Sequence, residues 1–373
     1  MLLVAIVATI VFTPFAKWLA RSTDAIDYPD NRRVNTRPTP RMGGVAMLCG
    51  IIVASIAVLI GVRFLGFIDP FNSPTGTHME VNFPILAIGV LMIFAVGLYD
   101  DIKNMRAPVK FLLQLVSCFV VAASGLLLSE IQNPFGEGFI EFGWLAYPIT
   151  AIYLVCFANV INLIDGLDGL ASGISAISAS TIFAFSIFSG RYEAAVICAI
   201  IVGISIGFLH FNRHPASIFM GDSGSLLLGM MLGIASLMAV ARSTLFISLL
   251  VPILAAGVPI MDTAAAIIRR SRAHQRIDEP DRGHIHHRLL DAGFSQTSTV
   301  LIMWSWTCAL AVCSIVLSET EGIPRIVAVI IAATITGFAI NKLKLLDPVL
   351  RHYYNPRQKR RSKRNEAGSN RFH

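Results

Sequence analysis

Between residues 159 and 169 the chain reads Asn-Val-Ile-Asn-Leu-Ile-Asp-Gly-Leu-Asp-Gly, so Asn159, Asn162, Asp165 and Asp168 recur at every third position. Residues three apart on a helix are neighbours, and each of these polar groups can act with the next. Each such step also turns the direction by about −60°, which would leave Asn159 and Asp168 on opposite sides of a regular helix. Gly166 and Gly169 permit the chain to break there and gather the group. Two amides and two carboxylates, with no soft donor among them, suit a hard cation such as Mg²⁺, with Mn²⁺ as a substitute. The competing reading is a helix end dressed in caps and turn residues.

Further chemistry-bearing residues follow the same theme. The run Gly97-Leu-Tyr-Asp-Asp-Ile-Lys-Asn places Asp100 and Asp101 side by side at the end of an apolar segment. Adjacent helical residues diverge by about 100°, so no more than one is expected to face a shared site without local unwinding. In Phe211-Asn-Arg-His-Pro-Ala-Ser-Ile-Phe-Met-Gly-Asp-Ser-Gly-Ser, Asp222 is placed to N-cap the next helix. The N–H groups of Ser223, Gly224 and Ser225 would then form an anion cradle, and capping is compatible with metal binding. Phe219 could stack on a ring or anchor at the membrane interface. His284, His286 and His287 lack a His-Glu-x-x-His pattern or a second His/Cys cluster, so they read as donors to a pyrophosphate rather than as zinc ligands. Arg32, Arg33, Arg37 and Arg41 lie in a proline-stiffened loop and offer forked donors suited to phosphate. A basic membrane-flanking loop would carry arginines in any case.

The elements that must position these residues follow from composition. Of 373 residues, 55% are hydrophobic and 14% charged, and the mean hydropathy is +0.68. Soluble domains carry about a quarter charged residues, so this is a polytopic membrane protein, all-α. About eleven runs are long enough for a ~30 Å hydrocarbon layer: 2–20, 43–65, 83–99, 109–129, 144–162, 169–189, 192–210, 223–241, 244–265, 298–317 and 322–341. Lys and Arg fall overwhelmingly in 21–42, 100–110, 210–222, 269–297 and 341–373. The positive-inside rule makes those segments cytoplasmic, which puts the N-terminus outside and the C-terminus inside. The first run has neither a charged n-region nor a small-residue cleavage site and is read as a retained span. The expected layout is a single transmembrane catalytic domain over 1–341, with active-site loops at 21–42, 100–110, 162–168, 210–222 and 269–297. A basic cytoplasmic tail over 342–373 would be held near anionic membrane lipids. The net charge of +7 sits mainly in these loops and the tail, and so reports topology rather than nucleic-acid binding. The six cysteines lie singly within spans, without a Cys-x-x-Cys, and imply neither disulfides nor a metal.

Orientation and chemistry, read separately, agree: Asp100, Asp101, Asn162, Asp165, Asp168, Asp222, Asp262 and the histidines all fall on the cytoplasmic side. Ionisable groups at a membrane are costly enough that they line polar cavities or pair with cations. A cytosol-facing, metal-loaded cleft with Arg and His donors fits phosphoryl transfer. A cation-coupled transporter is the rival from another class, although such proteins place their carboxylates near the midplane and show repeat symmetry. A membrane scaffold recruiting partners through the basic loops is a third reading.

Taken together, Asp100-Asp101, the Asn159 to Gly169 stretch, Phe219-Met-Gly-Asp222-x-Gly-Ser and His284-Ile-His-His resemble the polyprenyl-phosphate N-acetylhexosamine-1-phosphate transferases, in order, over about residues 20–300. The histidine segment and Arg-Pro-Thr-Pro-Arg-Met-Gly-Gly are similar to the branch that starts O-antigen, common antigen or teichoic acid linkage units. Arg288-Leu289-Leu290 stands where the peptidoglycan branch has His-Phe-Glu, which points away from a peptide-bearing muramyl substrate. The resemblance implies transfer of N-acetylglucosamine 1-phosphate from UDP-N-acetylglucosamine to undecaprenyl phosphate, with release of UMP, at the cytoplasmic (inner) membrane. It implies Asp222 and Asn162 as Mg²⁺ ligands and Asp100 as the carboxylate that deprotonates or positions the acceptor phosphate. Asp101, Asp165, Asp168, His286 and His287 are grouped with the catalytic residues. Asn159, Asp165, Asn212, Phe219, His284, Arg37 and Arg41 are expected to bind substrate, with Phe219 stacking on uracil. A homodimer is compatible with this layout.

Overall fold

The computed structural model describes residues 1–29, 37–67, 69–70, 81–133, 138–240, 253–272 and 284–343. Arg32, Arg33, Arg276, Arg282 and the tail beyond 343 lie outside them. The apolar runs form α1 (Leu2–Ser22), α2 (Gly43–Phe64), α3 (Phe83–Lys103), α4 (Ala107–Ala123), α5 (Ala146–Ile164), α6 (Leu170–Phe188), α7 (Tyr192–Asn212) and α8 (Gly221–Val240). They continue as α9 (Gly257–Arg272), a short α10 (Ile285–Asp291), α11 (Gln296–Glu319) and α12 (Ile323–Lys342). Starts are marked as the sequence chemistry demands. Asn82 accepts the Ile85 N–H at 3.2 Å ahead of α3 and Ser295 accepts the Ser298 N–H at 3.2 Å ahead of α11, while α3, α4 and α12 each begin with proline in the first turn.

Among the described residues nine helices are long and apolar enough to cross a membrane, and Ala107–Ala123 and Gly257–Ile268 are shorter apolar helices. The protein is therefore an all-α polytopic membrane protein. Two expected spans differ in their bounds. The run at 109–129 becomes α4, which ends at Ala123 because the chain turns through Gly125 at φ +92°. The run at 244–265 lies partly outside the described residues, and its described part, α9, continues past 265 to Arg272. Two short antiparallel pairings complete the structure: β1 (Ile26–Asp27) with β2 (Thr39–Pro40), and β3 (Glu130–Gln132) with β4 (Phe139–Glu141).

The axis of the fold is α8, which is buried at every residue from Ser223 to Val240 and packs against α2, α3, α5, α6 and α7. Small residues let its N-terminal end sit close to its neighbours. A Cβ on Gly97 of α3 would lie 2.5 Å from the Asp222 carbonyl oxygen, and one on Gly44 of α2 would lie 2.3 Å from the Gly224 nitrogen. At the periphery, α12 buries only Ala328 and Ala332 and rests on α11.

Candidate active site

The ends of these helices enclose a cavity of about 560 Å³ lined by acids, amides and a few apolar side chains, among them Asp101, Asn162, Asp165, Asp168, Asp222 and His287. One wall is built by α3, α4 and α8. Asp101 is buried and accepts the N–H groups of Asp222 (2.8 Å) and Ser223 (3.0 Å) and the Ser223 hydroxyl (2.6 Å). The cap of α8 is thus Asp101, reaching across from α3, and not Asp222. The first part of the expected anion cradle, the Ser223 N–H, is thus taken by the protein's own carboxylate, which also meets the positive end of the helix dipole. Gly221, at φ +69°, makes room for this: a Cβ there would lie 2.5 Å from Asp101 Oδ2.

Of the adjacent pair only Asp101 lines the cavity, as the helical divergence led one to expect, and Asp100 joins the site indirectly, through Lys110. Its partners come from another direction: the Met105 N–H donates to Oδ1 and Lys110 Nζ on α4 lies 3.1 Å from Oδ2. Lys110 bonds Asp222 as well, and Asn162 Nδ2 donates to Asp222 Oδ1 at 2.7 Å and to Ser225 Oγ at 2.8 Å. Asp100, Lys110, Asp222 and Asn162 form one continuous polar cluster. Arg41, expected to bind substrate, lines the cavity while its guanidinium closes the C-terminal end of α3, donating to the Asp101 carbonyl (2.9 Å) and Asn104 Oδ1 (2.8 Å). Its segment is laced to the Phe219 segment, since the Phe219 N–H donates to the Pro40 carbonyl (2.8 Å) and the Gly43 N–H to the Phe219 carbonyl (3.0 Å).

The other wall comes from the turn between α5 and α6 and from the 213–219 loop. Helix α5 stops at Ile164, and Gly169 at φ +77° starts α6, so Asn162, Asp165 and Asp168 gather as the glycines suggested. Asn159 does not join them: its Nδ2 donates to Gln114 Oε1 on α4 at 2.7 Å and to the Val155 carbonyl at 2.8 Å. It remains on the regular part of α5, where the helical rotation turns it away from the cavity. Asp168 Oδ2 accepts from His214 Nδ1 (2.7 Å) and the Ala216 N–H (3.1 Å). Asn212 is buried, its Oδ1 taking the Gly169 N–H (3.0 Å) and the Ser172 hydroxyl (3.2 Å) while its Nδ2 donates to the Ile218 carbonyl (3.1 Å). Asp165 has no hydrogen-bond partner for its carboxylate among the described residues. Burial, then the negative charges of Asp222, Asp101 and Asp168, push its pKa up to about 8.

The histidines divide. His287 lines the cavity together with Arg37, Asn212 and Phe219, whereas His284 and His286 are buried behind it. Asp262 of α9 holds His284 through Nδ1 at 3.0 Å and caps α10 by accepting the Ile285 N–H at 2.9 Å. His286 stacks on His284 with ring centroids 5.7 Å apart and lies tilted against His287 at 4.3 Å, and its buried Nδ1 has no hydrogen-bond partner among the described residues. Burial and the adjacent His287 lower its pKa to about 3, so it is a neutral imidazole. It packs so closely on Gly166 that a Cβ there would lie 2.6 Å from His286 Nε2.

The donor set suits a hard divalent cation through its oxygens, and the orphaned Asp165 carboxylate in a crowd of acids is the group that such an ion would relieve. Among the described residues no three His, Cys, Asp or Glu side chains form a closed cage, so most of an ion's ligands would come from water or a bound diphosphate.

A buried helix whose capped end faces a polar, acid-lined cavity among apolar helices makes this cavity the candidate active site of a membrane-embedded protein. The sequence pattern of glycosyl transferase family 4 matches residues 83–240. The chain is 36% identical over 349 residues to a "Probable undecaprenyl-phosphate N-acetylglucosaminyl 1-phosphate transferase" of Bacillus subtilis, covering 92% of this chain and 93% of that one. It is 34% identical over 330 residues to a "Decaprenyl-phosphate N-acetylglucosaminephosphotransferase" of Mycolicibacterium smegmatis, covering 83% and 79%. A "Phospho-N-acetylmuramoyl-pentapeptide-transferase" of Halalkalibacterium halodurans is 29% identical over 327 residues, covering 81% and 90%. The chain belongs to glycosyl transferase family 4, the polyprenyl-phosphate N-acetylhexosamine-1-phosphate transferases, and is a transferase.

Proposed function

We propose that this protein transfers N-acetylglucosamine 1-phosphate from UDP-N-acetylglucosamine to undecaprenyl phosphate, releasing UMP and forming the lipid-linked first intermediate of a cell-surface polysaccharide. The observation that carries the reading is the cavity that gathers Asp165, Asp168, Asp222, Asn162 and His287 at the helix ends, in a chain similar over most of its length to enzymes named for this transfer. The excess of basic residues in the flanking segments supports, by the positive-inside rule, a cavity that opens at the cytoplasmic face of the inner membrane.

Mg²⁺ would be held by Asp222 and Asn162 with Asp165 in reach, and when bound it supplies charge neutralisation for the diphosphate and the leaving UMP. The chain's own residues do the rest. Lys110 balances Asp100 and Asp222 and so holds the carboxylates in place beside the cavity. Asp100, engaged by Lys110 and by the Met105 N–H, positions rather than deprotonates, because a phosphate monoester with a second pKa near 6 is largely ionised at pH 7. Arg37 and His287 line the cavity and would approach the diphosphate there. Phe219 lines the same cavity, and its ring would stack on the base. A competition assay with UDP-N-acetylglucosamine, UDP-N-acetylgalactosamine and UDP-N-acetylmuramoyl-pentapeptide, reading lipid product, tests the donor. The first is expected to be used most efficiently, and preference for either other sugar would overturn the assignment.

A further inference from the structure

We infer that His214, oriented by Asp168, is a donor-recognition residue whose Nε2 accepts an N–H or O–H of the donor's nucleotide. The inference rests on the uridine-nucleotide reading above and deepens it. The loop that carries His214 is tied down on several sides. Its Ser217 N–H donates to the Phe211 carbonyl (2.9 Å), Asn212 Nδ2 to the Ile218 carbonyl (3.1 Å) and the Ala216 N–H to Asp168 (3.1 Å), while Lys17 of α1 holds the Ser217 hydroxyl (2.8 Å). These bonds already fix the backbone. The bond that His214 Nδ1 donates to Asp168 at 2.7 Å is made by the side chain and orients the imidazole.

A carboxylate on Nδ1 fixes that nitrogen as the donor, which makes Nε2 of the neutral ring an acceptor. Nε2 has no protein partner among the described residues, and the ring, 45% exposed, lines the cavity with Asn212, Ala216 and Phe219. Asn212 cannot take the same role, since its Oδ1 already accepts two hydrogen bonds. A uridine nucleotide offers two kinds of hydrogen to such an acceptor, the base N–H and the ribose O–H. Asp168 is accordingly a positioning residue for His214.

The test uses the purified full chain in detergent with Mg²⁺ and measures binding of UMP, N3-methyl-UMP and 2′-deoxy-UMP by calorimetry. His214→Phe, which keeps the ring volume, is expected to weaken UMP about three- to ten-fold, the range for one neutral hydrogen bond. Wild type should discriminate against one of the two analogues, identifying the hydrogen that is read, and His214→Phe should lose that discrimination. Asp168→Ala, which also removes the acceptor of the Ala216 N–H, should cost at least as much as His214→Phe, and the double variant no more than Asp168→Ala alone, because the two act as a unit. In steady state His214→Phe should raise the KM for UDP-N-acetylglucosamine by the same factor and leave kcat within about two-fold. Unchanged UMP binding in His214→Phe, or losses that add fully in the double variant, would overturn the inference. Failure of wild type to bind UMP would instead overturn the reading of function on which it stands.

Discussion

The two walls of the cavity contain the same kinds of side chain and use them in opposite ways. On the wall of α3, α4 and α8 the polar groups answer one another: Asp101 holds the α8 N-terminus, and Lys110 joins Asp100 to Asp222, which also binds Asn162. On the wall of the α5–α6 turn and the 213–219 loop two acceptors have no partner among the described residues, the Asp165 carboxylate and Nε2 of His214. The first wall is pre-organised by its own charge balance and fixes where reacting groups must sit. The second is rigid in its backbone but unsatisfied at its surface, the condition in which a ligand gains most from binding.

The largest effect that would break this contrast is in Asp222→Asn. The change removes the charge that Lys110 and Asn162 both face, and transferase kcat/KM should fall about 10²- to 10³-fold, as for loss of a main electrostatic stabiliser. Near-normal turnover would show that the engaged wall is scaffolding alone. Next is Lys110→Met, which leaves Asp100 and Asp222 facing each other unbalanced. Breaking a buried pair costs about 3 kcal/mol, less here because Lys110 is 17% exposed, so thermal unfolding in detergent should drop by several degrees together with activity. Gly221→Ala should follow, with a cost of about 1–3 kcal/mol, since it adds strain at φ +69° and sets a Cβ 2.5 Å from Asp101 Oδ2. Unaltered unfolding of that variant would mean that the Asp101 cap can be rebuilt elsewhere.

The smallest effect belongs to the open wall. Asp165 has its pKa pushed up to about 8, whereas in the unfolded chain it ionises near 3.9. Between those values the folded state holds more protons than the unfolded one, so this group makes the metal-free protein less stable as pH rises from about 4 to about 8. Asp165→Asn should remove that slope. The variant should melt a few degrees above wild type at pH 8 without divalent cation and show little gain at pH 5. An equal gain at both pH values would assign the effect to packing rather than charge.

Much of this arrangement was legible in the sequence because it is local. The apolar runs, the break at Gly166 and Gly169, and the gathering of Asn162, Asp165 and Asp168 depend on residues within one or two turns of each other. What was not legible depends on partners far along the chain. Asp101 caps a helix more than a hundred residues away, and nothing near Asp101 announces it. Lys110, one of several basic residues in the 100–110 segment, carries no local sign of reaching two carboxylates from different helices. Asn159 keeps the three-residue spacing but stays on the regular helix, so its direction is decided by Gln114 of α4. His214 passed unnoticed in a loop read for Phe219 and Asp222, and only the 2.7 Å contact with Asp168 singles it out.

The most direct test of the transferase assignment is a gradient-free assay of detergent-purified protein with Mg²⁺, labelled UDP-N-acetylglucosamine and undecaprenyl phosphate, counting UMP and lipid-linked sugar phosphate together. The two should form in equal amounts and only when the lipid is present. A protein that binds the substrates yet yields neither product without a transmembrane gradient would contradict it.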